Sequence, residues 1–88
     1  MNLGYTYATD RSVLEDAFVL PKRDRDRLRR AFEQLTGNPF HPPELEFMRP
    51  DGSRVNVNRF GDWLISWRAD HAVREVRIVD IERIPLRS

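Results

Sequence analysis

The chain has no cysteine among its 88 residues. A disulfide framework and a thiolate-ligated metal site are therefore both excluded. Histidine is scarce as well. His41 and His71 are the whole supply, both in apparent loops, and two scattered imidazoles read as ordinary surface residues rather than as a zinc site. Lysine is nearly absent: Lys22 is the one lysine among 15 basic residues. No apolar run approaches the length of a membrane span, and the N-terminus lacks the apolar core of a signal peptide. A cytoplasmic protein with no membrane segment is the expectation. At this length one domain, residues 1–88, with a small core and a modest stability margin is expected.

What is abundant is arginine. Net charge is only +1, but it is unevenly spread. Residues 21–36 carry six cations against three acids, and residues 54–88 carry seven arginines against five acids. The planar guanidinium matches phosphate and carboxylate alike. In "RDRDRLRR" (23–30) the alternation of sign fits a solvated helix face, a phosphate-binding stripe, or a surface for the acids of a partner.

Periodicity orders the chain. "LGYTYA" (3–8) alternates Leu3, Tyr5 and Tyr7 with small residues, as a half-buried strand does. "TDRSVLEDAF" (9–18) reads as a short helix. Ser12 and Glu15 have capping-box spacing, with Asp10 or Thr9 as other caps, and Val13, Leu14, Ala17 and Phe18 share one face. Pro21 suits the first turn of a second helix, in which Leu28, Ala31, Phe32 and Leu35 keep helical spacing and Gly37 is the stop. "NPFHPP" (38–43), with three prolines, is a rigid connector.

Strands follow at 45–48, 54–59, 62–68 and 74–84, with "PDG" (50–52) and "ADHA" (69–72) as turns. Trp63, Ile65 and Trp67 fall on one face of their strand, opposite Leu64 and Ser66. The tryptophans could stack on bases, but sharing a face with Ile65 points to core packing. The last strand is apolar on both faces, Val76 and Ile78 against Val79 and Ile81, so either both faces are covered or a bulge shifts the phase. The order predicts an α+β fold: an N-terminal strand and a helical hairpin packed on a small antiparallel sheet.

With that order in place, the sequence resembles the RelE/ParE superfamily of type II toxin–antitoxin toxins. The likeness rests on the strand and helical hairpin "YTYATDRSVLEDAFVLPKRDRDRLRRAFEQL", the Asn38-Pro39 loop start, the corner "RFGDW" (59–63), and the closing "VRIVDIER" (76–83). The corner is similar to the family's Arg-x-Gly-Asp-Tyr. The resemblance covers about residues 3–84. It implies a toxin without cofactor or metal, neutralised by a cognate antitoxin. Many members are ribosome-dependent mRNA endonucleases (mRNA interferases); others poison DNA gyrase. Such systems also serve plasmid stabilisation.

Metal-free RNA cleavage needs a proton acceptor, a proton donor and cations for the developing charge. The resemblance implies catalytic roles for Arg59 and Arg83; Arg54, from its place at the start of the strand before the corner, is a candidate substrate-binding residue that could orient RNA. Asp62 reads as a turn residue. Glu44 and Glu46 could act as a base, but nothing marks them above strand-edge carboxylates. One departure matters. RNA-cleaving members commonly carry an arginine directly after Gly-Asp-Tyr, and here that place is Leu64. Leucine neither donates a hydrogen bond nor neutralises a phosphate. Three readings stay open: an endoribonuclease acting on ribosome-bound mRNA, a gyrase-directed inhibitor, and a catalytically degenerate interaction module.

Overall fold

The computed structural model describes residues 4–85. The elements in order are β1 (Thr6–Thr9), α1 (Arg11–Phe18), α2 (Lys22–Gly37), β2 (Leu45–Met48), β3 (Arg54–Phe60), β4 (Trp63–Asp70) and β5 (Glu75–Arg83). They form one five-stranded sheet in the order β1-β5-β4-β3-β2. β2 to β5 pair antiparallel, as a meander of short turns requires. The α+β class is as expected; the sheet, however, is mixed, not wholly antiparallel. β1 lies parallel to β5, Thr6 opposite Glu75 and Thr9 opposite Ile78, because the helical hairpin carries the chain across before the meander begins. Leu3, assigned from the sequence to the first strand, lies outside the described residues.

The helix-side face of the sheet holds the core. Val13 of α1 and Leu28, Ala31, Phe32 and Leu35 of α2 pack on Trp63, Ile65, Trp67, Val76, Ile78 and Ile81. Burying each large side chain contributes about 1.5–3 kcal/mol. Both tryptophans are core, as their shared face with Ile65 required: Trp63 is 6% exposed and Trp67 1%. Trp67 donates its Nε1–H to Oδ1 of the buried Asn58 at 2.8 Å, so the polar atoms of the two satisfy one another.

The phase break in β5 is a bulge. Ser66 faces Asp80 while Trp67 faces Ile78, which leaves Val79 as the extra residue. The bulge returns Ile81 to the helix-side face after Ile78.

Two expectations for α1 are corrected. No side-chain cap bond forms: Asp10 sits at the N-cap position, but its carboxylate accepts from Arg77 at 3.1 Å instead. That bond, the largest cause, and nearby Glu75 raise the affinity of Arg77 for its proton. Leu14 and Phe18 are not packed under the hairpin; they are 62% and 75% exposed. α1 is only eight residues long, and its contact with the sheet is made by Val13 and Ala17.

Candidate functional site

The corner between β3 and β4 is a two-residue hairpin. Phe60 faces Trp63, and Gly61 has φ +61°, which a side chain would disfavour. Arg59 closes the corner by donating Nε–H to the Gly61 carbonyl at 2.9 Å. Directly across the ladder from Arg59 is Leu64, and across the next is Glu82. Paired residues share a face. Arg59, Leu64 and Glu82 therefore form one row on the open face, away from the helices, with Leu64 half-buried at its centre.

Arg83 lies on the other side. It pairs with Trp63, places its guanidinium 4.9 Å from the centre of the Trp63 ring, and bonds Asp24 of α2 at 2.9 Å. It clamps the end of β5 to the start of α2. Arg54 is also on the helix-side face, paired to Glu46 at 3.2 Å, and lies about 20 Å along β3 from Phe60. The three arginines singled out in the sequence are thus not brought together.

The open face carries cations that the sequence reading passed over. Stepping by two from Leu64 leads through Ser66 to Arg68, and Arg68 faces Arg77 of β5. The signal was strand alternation itself. Apolar residues border them: Val55 and Val57 are buried, while Leu45 and Phe47, their partners on the edge strand β2, are 65% and 49% exposed. Close to this edge, the fully exposed Asp51 is held below its ordinary acidity range, chiefly by hydrogen bonds from Ser53, with lesser help from Arg49 and Arg68.

Two further features stand outside the corner. A groove of about 360 Å³ runs between α1, α2 and β1, with Tyr7, Leu14, Phe18 and Phe32 along it and Arg25 and Arg29 on its rim. At the opposite end of β1, His71 is more than a plain surface histidine. Its Nδ1 lies 2.6 Å from the Tyr5 hydroxyl, and its ring stacks on Phe40 at 4.6 Å. Among the described residues no group of His, Asp and Glu has the arrangement of a metal site, and no helix is long and apolar enough to cross a membrane.

No protein-family model matches the sequence, and comparison with curated proteins also finds no match. Structural comparison does. The archaeal RelE–RelB complex from Pyrococcus horikoshii aligns with TM-score 0.69 at 17% identity, over 90% of this chain and 93% of that one. The toxin–antitoxin complex RelBE2 from Mycobacterium tuberculosis aligns with TM-score 0.72 at 20% identity, over 90% and 96%. The isolated RelE toxin from E. coli aligns with TM-score 0.74 at 14% identity, over 96% and 88%. The fold is that of the RelE-like toxins.

Proposed function

We infer that this chain is the toxin component of a type II toxin–antitoxin pair, acts in the cytoplasm, and is held inactive by a small antitoxin. One observation carries the partner: the uncovered groove beside α1. An 88-residue chain with a small core leaves Leu14 and Phe18 in water, with the cations of Arg25 and Arg29 at the rim. An amphipathic segment with acidic flanks would bury the apolar pair and meet the charges. Two of the structural neighbours are described as toxin–antitoxin or RelE–RelB complexes, which supports the same reading.

For the toxin's own action, the open sheet face around Arg59 is the surface best suited to RNA on the ribosome. Arg59 and Arg68 supply cations, and the exposed Phe47 supplies an aromatic edge. Leu64 leaves the middle of the row without one, so cleavage is weak. That same observation favours a second reading, a RelE-like interaction module without catalysis. A gyrase-directed action does not depend on the missing cation.

Co-expression with the adjoining small open reading frame tests the partner. A complex that survives purification at low salt and melts higher than the free chain is expected; two proteins that part, with no gain in melting temperature on mixing, would overturn it. Toeprinting of mRNA on purified ribosomes and a gyrase supercoiling assay then separate the targets. Growth arrest with neither signal would favour the non-catalytic module.

A further inference from the structure

The β3–β4 corner has a second side. On the face toward α2, a cleft of about 350 Å³ opens between the helix and the turn. That is near the small end of ordinary ligand pockets, about 300–1,000 Å³. Arg27, Arg30 and Gln34 line it from α2; Phe60, Asp62 and Trp63 line it from the turn.

Its polar groups are poorly answered from within the protein. Arg27 makes no ion pair among the described residues, and Arg30 has only a 3.4 Å contact from Nε to the Asp26 carbonyl. Helical spacing of three sets the two guanidinium groups side by side. Trp63 is 6% exposed, yet its Nε1 is the buried side-chain polar atom without a hydrogen-bond partner among the described residues. Its neighbour in the core, Trp67, shows the usual outcome, a bond to Asn58. An orphaned donor is costly, and this one belongs to a residue of the cleft wall, with the N–H itself buried behind the surface. Asp62 adds a carboxylate with no ion pair among the described residues, an acceptor at the same mouth.

We propose that this cleft binds one nucleotide unit of a single RNA strand, with its phosphate on Arg27 and Arg30, its base against Phe60, and Asp62 accepting from the base's N–H edge. The mixture of charges favours a nucleotide over an acidic peptide. A peptide carboxylate would use the two arginines and be repelled by Asp62. A nucleotide brings an anion and hydrogen-bond donors together. The half-buried Phe60 ring offers a stacking surface that tolerates different bases. The Gln34 amide, donor and acceptor at once, suits a ribose hydroxyl. The proposal rests on the toxin reading only in naming RNA as the source; the cleft lies on the opposite face from Arg59 and Leu64.

The test uses the full chain, labelled with nitrogen-15, and its two indole N–H signals, assigned with a Trp63→Phe variant. Mononucleotides, inorganic phosphate and a glutamate-rich peptide are titrated separately. The expected result is a saturable shift of the Trp63 signal with GMP, AMP and CMP, smaller with UMP and smaller again with phosphate, while the Trp67 signal stays still. Arg27→Gln with Arg30→Gln, both exposed positions, should weaken the response at least about tenfold with spectral dispersion kept. Asp62→Asn should narrow the gap between UMP and the amino-bearing bases. No saturable shift, a shift that survives the double variant, or a response to the peptide alone would overturn the proposal. Toxicity plays no part in this readout, so a failed toxin assay beside an intact nucleotide response separates the two claims.

Discussion

Leu64 and Ile65 are neighbours in the chain, both branched aliphatics, and they live on different surfaces. Ile65 is fully buried on the helix-side face, between Trp63 and Trp67 and under α2. Leu64 is half-exposed on the open face, between Arg59 and Glu82. The pleat separates them by alternation, and the helices decide which side is dry. Apolar character in this strand thus has two meanings. On one face it is the core. On the other it occupies a place where a cation would be useful to RNA chemistry.

The comparison is broken most severely by Ile65→Arg. An arginine there would be buried without a partner, and a loss of more than about 4 kcal/mol is expected, enough to unfold a domain of this size. A chemical melt checks it; a folded Ile65→Arg would mean the covered face is not the core described above. Leu64→Arg is the matched experiment on the open face. The variant should fold, and ribosome-bound mRNA cleavage should rise by up to about two to three powers of ten. That corresponds to roughly 3–4 kcal/mol for a positioned charge stabiliser. A folded variant with no added cleavage would show that the missing cation is not what limits this chain.

A subtler contrast sets Arg83 against Arg59. Arg83 is held by Asp24, itself only 13% exposed at the side chain, and covers the Trp63 ring. Alanine there should cost about 1 kcal/mol, since it strands a largely buried carboxylate and removes a cation–π contact. Arg59→Ala gives up one bond to the Gly61 carbonyl at an exposed corner and should cost about 0.5 kcal/mol. Its larger effect should fall on toxicity. Equal melting temperatures for the two variants would remove the structural role assigned to Arg83.

The smallest effect lies on the outer side of α2, away from both faces of the sheet. The Lys22 ammonium bonds Asp26 at 2.9 Å and, with lesser help from Arg29 and Arg30, holds its carboxyl below the ordinary value of 3.8. A depressed carboxylate adds stability above its unfolded pKa, and that increment is lost as pH falls through the folded pKa. Melting temperatures of wild type and Lys22→Met should therefore differ slightly at about pH 6 and converge below about pH 3. A gap that widens on acidification would contradict the assignment.

Much of this was legible before any coordinates. The spacing of Leu28, Ala31, Phe32 and Leu35 marks α2, and alternation marks β4, because local geometry repeats at a fixed period. The corner at Gly61 was legible too, since few residues accept positive φ. The same α1 pattern misled. Leu14 and Phe18 sit on an apolar helical face, yet nothing among the described residues covers them, and periodicity reports which side is apolar without reporting what lies against it.

By itself, then, the sequence determined the order and type of the elements, the faces of β4, and the leucine at position 64, because each depends on contacts a few residues apart. Tertiary structure alone decided the parallel pairing of β1 with β5, the bulge at Val79, the capture of Arg83 by Asp24, and the cleft that Arg27, Arg30 and Asp62 line together. Those join segments far apart in the chain. Their geometry follows from how the hairpin settles on the sheet, which no local period encodes.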